Sequence, residues 1–143
     1  MWITLPEVKL IGIMALLEKM PCKSGGNLRN CIHVAGPSWE SFVTETLITA
    51  APDGTEAHYY RTSTGTEVDI VLTLPGGKLW AIEIKRSSAP KVESGFHSAC
   101  ADLKPSKRFV VYSGTERFPL NAGTDAIGLC ELGRALQAVK LVE

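Results

Sequence analysis

The sequence predicts one α/β domain, with a central mixed sheet flanked by helices and a core order of α-β-β-β-α-β. Three observations carry that expectation. Trp39, Phe42, Val43, Leu47 and Ala50 fall at the three-and-four spacing of a single helical face within 36–51. Three strand-like runs follow: AHYYR at 57–61, EVDIVLTL at 67–74 and KLWAIEIK at 78–85. A second stripe at 90–104, with Val92, Phe96, Ala99, Cys100 and Leu103, then leads to the strand RFVVYS at 108–113.

Each element has a local reason. Residues 6–20, apolar apart from a few charges and opened by Pro6, read as a short buried helix, and PCKSGGNLRN at 21–30 is turn chemistry. Residues 1–35 are therefore expected to form an N-terminal helix and linker ahead of the main domain at 36–143. Ser38 is the expected N-cap of the next helix, and Pro52-Asp53-Gly54 ends it. A turn centred on Gly65 and another at Pro75-Gly76-Gly77 separate the three strands as an antiparallel meander. Pro105 stops the second long helix. The apolar run AIGLC at 126–130 and a last helix over 131–141 complete the chain.

Composition narrows the function classes. The chain has 143 residues, 45% of them hydrophobic. At that size about two thirds of the unfolded surface is buried on folding, so one core suffices without disulfides or a structural metal. Fifteen Lys and Arg balance 15 Asp and Glu, which excludes a broadly basic DNA binder while leaving room for a local basic groove. Cys22, Cys31, Cys100 and Cys130 form no C-x-x-C pair and read as packing thiols of a reduced, cytoplasmic protein. The longest apolar run, LIGIMALL at 10–17, is far short of the ~20 residues that span a bilayer and has neither the basic start nor the cleavage site of a signal peptide.

Strand alternation sends Val68, Ile70, Leu72 and Leu74 to one face of the second strand and Glu67, Asp69, Val71 and Thr73 to the other. In the third strand Trp80, Ile82 and Ile84 face one way while Glu83 and Lys85 face the other. Pairing through the Pro75–Lys78 turn brings Asp69 and Glu83 together. Two adjacent carboxylates repel unless a cation lies between them. On the preceding helix Glu40 sits roughly 80° from the centre of the apolar stripe, within reach of the sheet, whereas Glu45 points away. Glu40, Asp69, Glu83 and Lys85 thus make an acidic cluster with one amine, a set able to hold Mg²⁺ through oxygen ligands and water.

A helix-borne carboxylate, an Asp on the second strand and Glu-Ile-Lys on the third, followed by helix and strand, resembles the PD-(D/E)xK nuclease superfamily. SWESFVTETL, HYYRTSTGTEVDIVL and WAIEIKRS resemble more closely the C-terminal domain of unknown function of bacterial and archaeal AAA-type ATPases, over residues 36–115. The resemblance implies a restriction-endonuclease-like fold and a Mg²⁺- or Mn²⁺-dependent DNA endonuclease. Asp69, Glu83 and the Ile84 carbonyl would hold the metal, Lys85 would position or deprotonate water, and Glu40 would assist from the helix. Arg61 and Lys91 are candidate DNA-phosphate contacts. Glu67 and Val68 stand where the family motif carries a proline before the Asp. His97 and Lys91 are the nearest polar residues to the family's usual second-helix Gln.

Gly77-Lys78 lacks the rest of a P-loop, with Leu72 at the first Gly position and Leu79 after the Lys. The chain therefore reads as the C-terminal part of such an architecture, with an AAA-type ATPase module as partner in cis or in trans. DNA and a second copy of the chain are the other expected partners, and a membrane is not. The alternative is a non-catalytic DNA- or protein-binding module of the same fold. From pattern alone, Glu83 and Lys85 also fit a solvated strand face with an ion pair to Asp69. Glu67 reads as an exposed carboxylate beside the turn, Trp39, Trp80 and Phe96 as core, and His33, His58 and His97 as non-ligands. One of Tyr59 and Tyr60 is expected to pack on the core.

Overall fold

The computed structural model describes residues 2–4 and 39–139. Helix 6–20, the 21–30 linker, Ser38, His33, Cys22 and Cys31 lie outside the described residues. Among the described residues seven strands form one sheet, in the order β1-β2-β3-β4-β5-β7-β6. β1 (Trp2–Thr4), β2 (Glu56–Arg61), β3 (Glu67–Leu74) and β4 (Lys78–Ile84) are an antiparallel meander. β5 (Lys107–Tyr112) runs parallel to β4, and β7 (Thr124–Gly128) runs parallel to β5. The short β6 (Phe118–Pro119) closes the far edge antiparallel to β7. The sheet is mixed, as expected. β1 falls within the expected N-terminal unit and is hydrogen-bonded into the sheet.

Among the described residues three helices cover the sheet: α1 (Trp39–Ala50), α2 (Ser94–Leu103) and α3 (Leu129–Val139). Trp39, Val43, Leu47 and Ala50 of α1 and Leu129, Leu132 and Leu136 of α3 pack with Ile70, Leu72, Leu74, Trp80, Ile82 and Ile84 in the larger core. Trp80 meets Phe109 edge-on, with ring centroids 5.5 Å apart. The smaller core joins Phe96, Ala99 and Cys100 of α2 to Val68, Val71 and Ala81. Tyr60 is the member of the Tyr59–Tyr60 pair that packs there. α2 is also the crossover that lets β5 lie parallel to β4, since parallel neighbours cannot be joined by a tight turn. It starts at Ser94 rather than near 90, while Val92 ahead of it still packs on the smaller core.

The alternation expected for β3 fails at one point. Val68 belongs to the α2 side with Val71, while Ile70, Leu72 and Leu74 lie on the other side. The register explains the switch: His58 pairs with Val71 but Tyr60 pairs with Val68, so β3 carries one residue more than β2 across this interval. That is a β-bulge, and the strand re-aims its side chains there. Asp69 lies inside it.

Candidate functional site

The β3–β4 hairpin is regular from its turn outwards. Leu74 pairs with Lys78, Gly77 donates to the Leu74 carbonyl at 2.9 Å, and Gly76 and Gly77 supply the positive φ angles of 87° and 79° that the turn requires. The ladder runs as far as Ile70 opposite Ile82 and then stops. The next pair would be Asp69 and Glu83. In place of a backbone ladder, the Asp69 carboxylate accepts the Ile84 N–H at 2.7 Å. The chain beyond is secured from two other sides: Lys85 donates its N–H to Val111 on β5 at 2.8 Å, and its carbonyl accepts the Trp39 indole N–H at 3.1 Å. The sheet, α1 and a side chain in the bulge thus fix Ile84 and Lys85 where the hairpin opens.

The opening is a cleft of about 480 Å³. Asp69, Glu83, Ile84 and Lys85 line it together with Glu40 from α1, the turn residues Thr64–Glu67, and Glu93–Phe96 and Ser98 at the start of α2. Five of the seven residues singled out from the sequence therefore meet in one place. Arg61 and Lys91 do not line it. Arg61 stands at the exposed end of β2 with its guanidinium 3.8 Å from Glu67, and Lys91 is exposed on the loop before α2. Glu40 is half-exposed and lies 3.5 Å from Arg86. His97 is outside the cleft lining, and the polar α2 side chains that reach the cleft are Ser94 and Ser98.

The electrostatics of the cleft are dominated by acids. Glu83 is only 7% exposed. One of its oxygens lies 2.8 Å from the Lys85 amine, and the other, Oε2, is buried without a hydrogen-bond partner among the described residues. Burial raises the Glu83 carboxyl above its ordinary range, against the hydrogen bond from Lys85 that pulls it down. Burial likewise raises Asp69, opposed by the Ile84 N–H and the charge of Lys85. For Lys85, partial burial pulls the amine down, but hydrogen bonds to Glu83 and Glu93 outweigh it and leave it raised. Both carboxylates thus favour the charged form of the amine. The ion pair with Asp69 that strand pairing alone suggests is replaced by pairs to Glu83 and Glu93.

Glu93 is the functional neighbour that sequence reasoning missed. It lies 2.5 Å from the Lys85 amine, yet it comes from the N-cap position of α2. Glutamate is a poor N-cap, and nothing in a linear reading ties it to the strand eight residues earlier. The helix starts only at Ser94, so residues 86–93 form a connecting segment whose sequence carries no signal of this contact.

The donor set suits a hard divalent cation. Mg²⁺ keeps several waters and uses one or two carboxylates, so Asp69, Glu83 and a main-chain carbonyl are the groups that could hold it, and the Glu83 oxygen without a partner among the described residues is the atom such an ion would satisfy. Among the described residues no three His, Cys, Asp or Glu side chains gather to hold a metal on their own. Cys100 and Cys130 are buried and take part in no disulfide among the described residues. No helix among the described residues is long and apolar enough to cross a membrane.

Two curated relatives, one solved structure and one family model match this chain. The chain is 39% identical over 87 residues to uncharacterized proteins of Mycobacterium tuberculosis and Mycobacterium bovis, a match covering 60% of this chain and 19% of theirs. The matched stretch thus spans about a fifth of the length of these relatives. The crystal structure of a Vibrio cholerae protein aligns with 71% of this chain and 32% of its own, with a TM-score of 0.39 and 16% identity. A family model described as a domain of unknown function, DUF4143, matches residues 35–132 and thereby takes in α1, the whole β2–β7 sheet and the start of α3. The chain belongs to that family.

Proposed function

We propose that this domain is a restriction-endonuclease-like module that hydrolyses phosphodiester bonds in DNA with Mg²⁺ or Mn²⁺ as cofactor, in the service of an AAA-type ATPase in cis or in trans. The observation that supports it most directly is the splayed end of the β3–β4 hairpin. There a bulged Asp69, a buried Glu83 with one oxygen unpartnered among the described residues, and a charged Lys85 share a cleft. Asp69, Glu83 and the Ile84 carbonyl would hold the cation. A divalent ion bound at such a site neutralises charge developing on phosphate and supplies hydroxide near neutral pH.

The chain's own residues have definable tasks. Lys85, which lies against the carboxylates of Glu83 and Glu93, would position or help deprotonate the attacking water and can donate to a phosphate oxygen. Glu40 bounds the cleft from α1 and adds negative charge near Asp69. Arg61 and Lys91 lie outside the cleft, where they can meet the DNA backbone only as it continues beyond the reacting phosphate. Glu40, Glu67, Asp69, Glu83 and Glu93 outnumber Lys85 in the lining, so metal-free protein repels DNA at the cleft.

Nicking of supercoiled plasmid by wild type and Asp69→Asn, in Mn²⁺, Mg²⁺ and EDTA, tests the reading, with circular dichroism to verify both folds. Metal-dependent nicking by wild type alone supports it. Equal nicking by both proteins, or none by either, sinks it. One observation favours a second reading, a non-catalytic DNA- or protein-binding module: Glu83 and Glu93 already neutralise Lys85, so the amine is balanced without a phosphate. Duplex binding undiminished by EDTA would favour that reading.

A further inference from the structure

We infer that Glu93 is a positioning residue: it draws the Lys85 ammonium away from Glu83 when a divalent cation binds, and so sets the affinity of the site for that cation. The inference rests on the metal-site reading above. The Lys85 amine is shared, 2.8 Å from a Glu83 oxygen and 2.5 Å from a Glu93 oxygen. An ammonium has three donors and can hold both acceptors at once. Glu83 is nearly enclosed, with its second oxygen unpartnered among the described residues, so Lys85 is its internal counter-ion. A cation that engages Glu83 meets that ammonium as a like charge a few ångströms away. The amine must then move, and Glu93 is already bonded to it.

The placement of Glu93 supports this role independently. It occupies the N-cap position of α2 with extended backbone angles (φ −85°, ψ 154°) but makes no side-chain capping bond. Its carboxylate is committed to Lys85, not to the free N–H groups of its own helix. Its side chain is 69% exposed, so it is not fixed by packing and can follow the amine. Loss of a group bonded directly to a metal ligand typically weakens metal binding about 10- to 100-fold, and Glu93, one bond further out through Lys85, falls at the lower end of that range.

Mn²⁺ titration calorimetry on wild type, Glu93→Gln, Glu93→Asp, Lys85→Met and the Lys85→Met/Glu93→Gln double variant tests the inference without any assay of cleavage. Glu93→Gln should bind Mn²⁺ about tenfold more weakly, and Glu93→Asp should recover most of that loss. Lys85→Met should bind more tightly than wild type. In its background Glu93→Gln should cost about twofold or less, because the amine it acts through is gone. If wild type binds and Glu93→Gln binds equally well, the inference falls while the metal site stands. An equal loss with and without Lys85 makes Glu93 a bare charge and also overturns it. If wild type binds no Mn²⁺, the site reading and the inference fall together.

Discussion

Asp69 has a structural duty separable from any chemistry, and replacing it in two ways should split them. Its carboxylate accepts the Ile84 N–H at 2.7 Å where the β3–β4 ladder has ended, so no backbone carbonyl of β3 takes that bond. Asp69→Asn keeps an acceptor of the same shape. It gives up a charge-assisted bond, worth more than a neutral one, but it also removes a carboxylate that burial disfavours and that Glu67 and Glu40 repel. The two effects oppose, and the net change should be within about 1 kcal/mol. Asp69→Ala removes the acceptor and strands the N–H, at a cost of about 1–3 kcal/mol. For a domain of this size that corresponds to a midpoint lower by roughly 4–10 °C. Thermal melts followed by circular dichroism in EDTA at pH 7.5 give both numbers. Should Asp69→Ala melt within about 2 °C of Asp69→Asn, the carboxylate does not hold the hairpin open in the way described.

Other consequences can be checked with the same protein. Because burial raises the Asp69 and Glu83 carboxyls above their ordinary values of 3.8 and 4.5, the folded state binds their protons more tightly than the unfolded state. The stability they contribute is full below those ordinary values and is lost as pH rises through the raised ones; urea titrations at a series of pH values should show this fall, and Asp69→Asn/Glu83→Gln should flatten it. Lys85→Met leaves the buried Glu83 charge without its cation. It should cost about 1–3 kcal/mol, less than a fully enclosed pair because Lys85 is partly exposed, and adding Glu83→Gln should restore most of the loss in the same denaturation assay. Burial lifts the Cys100 thiol to about 11 from 9.0. Its alkylation in native protein at pH 8, followed by peptide mass spectrometry, should be at least about 100-fold slower than in urea.

Helices and strands were legible where periodicity had one cause. The α1 stripe from Trp39 to Ala50 is buried against the sheet as its spacing implies, and Trp80, Ile82 and Ile84 share a face because β4 is regular throughout. Convergence of Asp69 and Glu83 was readable too, since a hairpin register follows from its turn. Two things were not. β6 has only two residues, too few for alternation to register, and its partner β7 (Thr124–Gly128) begins ahead of the apolar run that marked it. The loop from Arg86 to Glu93 has no periodicity to announce that it returns over the sheet, so the Lys85–Glu93 contact was invisible although both residues were in plain view.

Val68 shows why the same residues that disobey the pattern make the site. Strict alternation puts Val68 with Ile70 in the larger core, and a β3 built that way would continue its ladder with β4 past Ile70 and Ile82. The extra residue opposite β2 turns Val68 to the α2 side and takes Asp69 out of regular pairing with β2, just where the ladder to β4 also ends. A carboxylate freed from two ladders can satisfy the Ile84 N–H and still line an open cleft; in an unbroken strand the same N–H would face a carbonyl, and the hairpin would close over the space. The bulge costs regular pairing, and the smaller core offsets that cost by burying Val68 against α2 beside Phe96. On this account, deleting one residue from the bulge should restore alternation and destroy the cleft together, even with Asp69, Glu83 and Lys85 all retained.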